Sequence, residues 1–331
     1  MCTAVSFLKG DHYFGRNLDL EYSYDESVTV TPRNYPFHFR SGVSLENHYA
    51  LIGVAHVEAG YPLYYDATNE KGLSMAGLNF PVSTDYKQPV LGKDNIAPFE
   101  FVPWVLGRCA NLSEARRLLE RVNLTEVSFS EKFPLTPLHW MIADRSGCLV
   151  VECARDGLRI HENPTHVLTN EPPFRVQMWN LCNYLGLSAQ PPVNRFAPEV
   201  DLQAISRGMG AISRGMGAMG LPGDLSSQSR FVRAAFVRLN SVCGDSEQER
   251  VSHFFHILGS VAQQRGCVKM GNDKFEITVY SSCCNTDRGI YYYSTYEGSH
   301  IHAVDLHREE LDGEHLSIYP MQENWEPCFQ N

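Results

Sequence analysis

The second residue of the chain is a cysteine, and that position gives it two functional groups. A small residue after an initiator methionine permits removal of Met1, which leaves Cys2 carrying a thiol and a free α-amine together. A reference thiol titrates near about 8.5 and an α-amino group near about 7.7–8.0, so around neutrality part of the amine is unprotonated and can accept the thiol proton. The chemistry open to such a residue is nucleophilic attack on a carbonyl. An incidental cysteine at a frayed terminus would occupy the same position. The next residues argue against that: Thr3 to Phe7 reads as a buried strand, and Phe14-Gly-Arg-Asn-Leu-Asp19 lies on the following one. Arg16 and Asp19 are therefore candidate partners of the terminus. An arginine beside a thiol favours the thiolate, and a carboxylate orients an α-ammonium; a structural ion pair is the other reading of the two residues.

Other motifs fail on context. Gly215-Met-Gly217-Ala-Met-Gly220 satisfies G-x-G-x-x-G, but no apolar strand precedes it and Leu221-Pro-Gly-Asp224 follows where a helix should begin. His253 and His256 lie one helical turn apart but flank Phe254 and Phe255, with no third ligand in view. There is no G-x-S-x-G elbow, no H-E-x-x-H and no C-x-x-C, so the ligand spacing gives no reason to expect a metal site.

The elements that must position the terminus read as strands first: Thr3 to Leu8, Tyr13 to Leu20, Ser27 to Thr31 and Tyr49 to His56 are rich in β-branched and aromatic residues. Pro98 to Cys109 reads as helix, and Ser113 as the N-cap of a second helix carrying Ala115, Leu118, Leu119 and Val122. Turn signals at Ser146-Gly147 and Asp156-Gly157 then divide a meander of Leu138 to Ala143, Cys148 to Cys153 and Leu158 to His161. Ser226 to Ser229 offers caps for a helix carrying Phe231, Ala235, Phe236 and Leu239. A further helix carries Val251, Phe254, Phe255, Leu258 and Val261, and Phe275 to Ser281 with Ile290 to Tyr296 forms a last hairpin. Hairpins dominate, which indicates an α+β protein with antiparallel sheets and helices outside them rather than a doubly wound fold.

At 331 residues with nothing resembling a linker, one domain spanning 1–331 is expected. The net charge of −10 is spread along the chain, which argues against nucleic acid or an anionic membrane as partner. Lys9, Asp11, Arg16 and Asp19 interrupt any candidate secretory leader, and no apolar run is long enough to span a membrane, so a cytoplasmic location is expected. The ten cysteines then read as free thiols, and the adjacent Cys283 and Cys284 as facing opposite sides of a strand. One internal repeat stands out: Ala204-Ile-Ser-Arg-Gly-Met-Gly210 recurs at once as residues 211–217, inside a glycine-rich loop over 204–220.

Several separated segments together resemble the choloylglycine hydrolases: Met1-Cys-Thr-Ala-Val5, Phe14-Gly-Arg-Asn-Leu-Asp19, Asn69-Glu-Lys-Gly-Leu73, Met75-Ala-Gly-Leu-Asn-Phe80, Leu168-Thr-Asn170 and Leu221-Pro-Gly-Asp224 through Ser229-Arg-Phe231. The resemblance runs from Cys2 to about Pro320 and lies with the bile salt hydrolases of that family. It implies the four-layer αββα sandwich of N-terminal-nucleophile hydrolases and a homotetramer. It also implies hydrolysis of the amide joining a bile acid to glycine or taurine, with no cofactor. By the family's pattern Cys2 is the nucleophile, Arg16 and Arg230 flank its thiol, Asp19 holds the terminus, and Asn79 and Asn170 serve the oxyanion and the scissile amide. Asn79 and Asn170 also read as turn and loop asparagines. A steroid needs an apolar pocket, for which Leu18, Leu20, Tyr24, Tyr65, Phe129 and Leu135 are candidate walls, or plain core. The alternatives are a penicillin V acylase of the same family, where tyrosine tends to stand in place of Asn79, and a non-catalytic bile-acid-binding protein. The duplication falls where the family reaches toward a neighbouring subunit.

Overall fold

Strand-forming residues open the chain as β1 Cys2–Lys9, β2 Asp11–Leu20, β3 Ser27–Thr31, β4 Phe37–His38 and β5 Ser44–Leu45. Next come β6 Leu51–Glu58, β7 Tyr61–Asn69, β8 Ser74–Asn79, β9 Asp94–Ile96 and β10 Val122–Leu124. The expected meander is β11 Leu138–Asp144, β12 Gly147–Ala154 and β13 Gly157–Glu162, followed by β14 Val167–Leu168. The last strands are β15 Ile277–Asn285, β16 Ile290–Thr295, β17 His302–Asp305 and β18 Ser317–Pro320. The helices are α1 Phe101–Leu106, α2 Leu112–Leu119, α3 Phe174–Asn180, α4 Ser227–Asn240 and α5 Glu247–Gly259. The computed structural model describes residues 1–200, 214–271, 273–323, 327 and 329–331. Residues 204–213 of the duplicated segment, with Arg207, lie outside the described residues, as does Cys328.

Two large sheets result, both antiparallel throughout. One is six-stranded in the order β14-β1-β2-β15-β16-β17, the other eight-stranded in the order β13-β12-β11-β8-β7-β6-β3-β18. Side chains alternate across a strand, so each sheet buries two apolar sets. Trp140, Ile142, Leu149 and Val151 gather with residues of α1 and α2, whereas Met141, Ala143, Cys148 and Val150 join the cluster that contains the six-stranded sheet, α4 and α5. Helices α1 and α2 touch the eight-stranded sheet and α4 and α5 the six-stranded one. The layers are therefore αββα, as the resemblance implied. Cys283 and Cys284 are both buried because both faces of β15 are covered.

Local expectations need several corrections: Val122, read as part of the second helix, opens β10, and Val261 lies beyond the end of α5. The segment from Pro98 begins as a 3-10 turn, Pro98–Glu100, before α1. The cap of α2 is Asn111, not Ser113: Asn111 accepts from the Glu114 N–H at 3.0 Å while Glu114 accepts from the Ala110 N–H at 2.7 Å, leaving Ser113 inside the first turn. Leu239 is 55% exposed at the end of α4 rather than part of its buried face.

Two register shifts bear on the site. On β15 the pairing with β2 jumps between Thr278 and Tyr280, and on β7 Tyr65 is left over between the pairs Val54–Asp66 and Ala55–Tyr64. Bulges of this kind re-aim side chains and free backbone groups.

Candidate active site

The β1–β2 hairpin places Cys2 opposite Leu18 and buries it. Its backbone N–H donates to Asn170 Oδ1 at 2.8 Å, and its carbonyl accepts from Arg230 Nη1 at 2.6 Å. Arg230 comes from the first turn of α4, which Ser226 caps as expected. The guanidinium is fully buried and also donates to Thr3 Oγ1 at 2.7 Å, Asn170 Oδ1 at 2.8 Å and Leu225 O at 3.1 Å. Burial lowers it from its ordinary value, opposed by Asp19 and Cys2.

Arg16 reaches the same centre from β2. Its Nη1 donates to Tyr65 O at 2.9 Å and Gly77 O at 2.6 Å, the first of these being the carbonyl of the bulged residue, while Nη2 is buried without a hydrogen-bond partner among the described residues. Burial opposes its charge, but Cys2, Tyr280, Asp66 and Asp19 together hold it above its usual value. Asp66 is itself buried and accepts from the hydroxyls of Tyr280 at 2.7 Å and Tyr291 at 2.5 Å.

Asp19 is fully buried. Burial pushes its carboxyl up to about 6 against the pull of Arg230, the terminus and Thr278. Thr278 Oγ1 donates to Oδ1 at 2.6 Å, whereas Oδ2 accepts no hydrogen bond among the described residues and lies 3.8 Å from Arg230 Nη1. The ammonium of Met1 pairs with buried Glu276 and donates to Asp19 O at 2.6 Å. Asn170, just beyond β14, donates its backbone N–H to Ser227 Oγ at 2.8 Å and its Nδ2 to Asn79 O at 2.8 Å. Asn79 ends β8 and is exposed. All the residues singled out around Cys2 thus meet at one place except that Asn79 is joined to it through its carbonyl, not its side chain. Glu276, Thr278, Asp66, Thr3 and Ser227 escaped sequence reasoning. The available signal was a carboxylate or hydroxyl at alternate positions of otherwise apolar strands, as in Glu276-Ile-Thr278.

Beside this centre lies a cavity of about 350 Å³. Leu20, Tyr24, Tyr65, Phe129 and Leu135 line it, with Phe99, Phe133 and Trp140. Leu18 does not: two residues deeper on the same strand face, it is 3% exposed within the intersheet core. Tyr65 and Gly77, whose carbonyls hold Arg16, also form part of the cavity wall, so the cavity abuts the charged centre. His56 and Lys132 add polar groups to its lining, both within reach of Glu58.

The family described as linear amide C–N hydrolases, choloylglycine hydrolase family, matches residues 2–319. The chain is 50% identical over 322 residues to a bile salt hydrolase/transferase of Lactiplantibacillus plantarum, covering 97% of each. It is 38% identical over 324 residues to the bile salt hydrolase/transferase of Clostridium perfringens, covering 96% of each. Its structure is similar to that of a variant conjugated bile acid hydrolase from Clostridium perfringens, with a TM-score of 0.89, 37% identity and 100% of both chains covered. Penicillin V acylase from Agrobacterium tumefaciens shares the fold, with a TM-score of 0.70 and 20% identity over 96% of this chain and 90% of that one.

Proposed function

The chain belongs to the choloylglycine hydrolase family of linear amide C–N hydrolases, and from that premise we propose that it hydrolyses glycine- and taurine-conjugated bile acids through the thiol of Cys2. The observation that carries the proposal is the placement of Cys2. It is buried between Arg230 and Arg16, its nitrogen rests on Asn170 Oδ1, and an apolar cavity opens alongside.

Removal of Met1 converts the Cys2 nitrogen into an amine; Asn170 Oδ1, which already accepts from that nitrogen, supports its orientation, and Asp19 is assigned the role of holding it. The amine takes the thiol proton and the sulfur attacks the amide carbonyl. The negative charge that develops on the carbonyl oxygen is met by amide N–H groups of Asn79 and Asn170, the latter turning from Asn79 O. The ammonium then gives its proton to the departing amino group, the C–N bond breaks, and water hydrolyses the thioester to bile acid and free thiol. The aromatic and aliphatic cavity wall supplies the apolar surface a steroid requires.

On this reading the chain acts as one domain from Cys2 onward, in the cytoplasm, as a homotetramer, without a cofactor. No helix among the described residues is long and apolar enough to cross a membrane, which fits that location. Parallel assays with glycocholate, taurocholate and penicillin V test the assignment. Released glycine or taurine is expected from the wild type and none from Cys2→Ala, which should still bind bile salt. A preference for penicillin V, or binding without turnover in the wild type, overturns it.

A further inference from the structure

Asn79 and Asn170 are carried by different sheets, one at the end of β8 in the eight-stranded sheet and the other just past β14 at the edge of the six-stranded one. Packing of two sheets does not by itself hold two amides in a fixed relation, and a displacement of about 1 Å at a reacting centre can cost about a hundredfold in rate. The structure contains a polar brace between them. His139, on β11 next to β8, is fully buried and stacks on the ring of Phe80, the residue after Asn79, with centroids 4.2 Å apart and planes 5° from parallel. Its Nε2 lies 2.8 Å from the carbonyl of Thr169, the residue before Asn170. A carbonyl only accepts, so Nε2 carries the hydrogen.

The other ring nitrogen faces Glu152, directly across the β11–β12 pair, at 3.5 Å from Oε1. That carboxylate is buried, accepts from the Phe174 N–H at 2.7 Å at the start of α3, and has His161 Nε2 3.5 Å from its second oxygen. Burial alone would raise the Glu152 carboxyl, but His139 and His161 outweigh it and hold the group down to about 2. Residues 169–174 are therefore pinned at both ends, with Asn170 between. Besides the Asn170 Nδ2–Asn79 O bond, which the reaction must release, another tie crosses the same gap: Glu171 accepts from the backbone N–H groups of Val82 at 2.9 Å and Ser83 at 2.8 Å, and from Ser83 Oγ at 2.9 Å. Among the described residues none of the His139, Glu152 and Glu171 side chains is hydrogen-bonded to Cys2.

We propose that His139 is a positioning residue for the amide hydrolysis, acting with Glu152 and Glu171 to fix the Asn79 and Asn170 amides relative to one another. The proposal rests on the reading that these asparagines serve the reaction. Steady-state kinetics on glycocholate, with bile salt binding measured alongside, test it in the mature wild type and in His139→Leu, His139→Gln and Glu171→Gln. His139→Leu keeps bulk but loses the donor to Thr169 and should lower kcat by about a hundredfold with KM within about twofold. His139→Gln can restore that donor and should recover at least tenfold. Glu171→Gln, which is not in the buried pair, should lower kcat by about tenfold with KM unchanged, and it carries the test should His139→Leu fail to fold. Folded variants that turn over at the wild-type rate, or that lose KM rather than kcat, overturn the brace. Failure of the underlying reading looks different: Asn79→Ala and Asn170→Ala would then leave kcat intact, or the wild type would release no glycine.

Discussion

Two buried titratable side chains near the hairpin pull the stability of the molecule in opposite directions with pH. Asp19 sits at about 6, above the 3.8 of a free carboxyl, because burial disfavours its charge. Between those values the folded chain holds a proton the unfolded chain has released, so this group's contribution falls as pH rises from about 4 to 6 and stays lost above. His12 behaves conversely: burial lowers it from 6.5 to about 4, opposed by Asp144 and Asp287. Its ring bonds Ser6 Oγ at 2.9 Å and Thr286 Oγ1 at 2.8 Å in the neutral form. The unfolded chain protonates first as pH falls, so His12 adds stability as pH rises through the same window. At about 1.4 kcal/mol per unit, each effect reaches about 3 kcal/mol at most. Urea midpoints between pH 4 and 6.5 should therefore rise more steeply in Asp19→Asn than in the wild type, and less steeply in His12→Gln. The same slope in all three would contradict the account. Cys2, Arg16 and Asp19 were legible in the sequence because one hairpin carries them. Asp66 and Glu276 were not, since their partners are remote in sequence, and although His139 and Glu152 face each other across one hairpin, nothing in the sequence marks Thr169 as the acceptor for His139.

At the scale of elements, the strand pattern was readable and the bulges were not. Ser27–Thr31 is read with its observed bounds because β-branched residues fill it, yet nothing in Ile277–Asn285 marks the shift at Val279 that sets Thr278 against Asp19. The shift at Tyr65 is equally silent in sequence, and it frees the carbonyl that Arg16 uses. Leu18 was misplaced for a related reason: strand periodicity gives the face of a side chain, not its depth. Between β2 and β15 the fit is tight, since a Cβ on Gly15 would lie 1.9 Å from Ser282 O. Adjacent Arg16 donates its backbone N–H to Ser282 Oγ at 3.2 Å. Gly15→Ala must separate the strands there, so a loss of about 3 kcal/mol in urea unfolding is expected, with kcat reduced in the folded fraction. Wild-type stability in Gly15→Ala would show that β15 yields without cost.

For the whole molecule, the αββα order follows from two sheets that each bury both faces, and the single chain brings its N-terminus to the place where α4 and the segment after β14 converge. Assembly is a separate question. The extra copy at residues 211–217 lengthens a loop, which costs about 0.6 kcal/mol even for a doubling, so the site should tolerate it. If the proposed tetramer uses this segment, an interface would tolerate the copy less well, because the seven added residues shift Arg207 relative to Arg214 along the chain. Sedimentation should show a tighter, more uniform tetramer for the variant lacking residues 211–217, with turnover preserved; indistinguishable assembly would remove the duplication from any interface. The central claim, that Cys2 of a processed chain is the nucleophile, is tested most directly by intact-mass spectrometry of enzyme acid-quenched during glycocholate turnover. The account predicts a chain lacking Met1 that carries one bile acyl group on Cys2, with no adduct in Cys2→Ala; active enzyme that retains Met1, or an acyl group on any other residue, would contradict it.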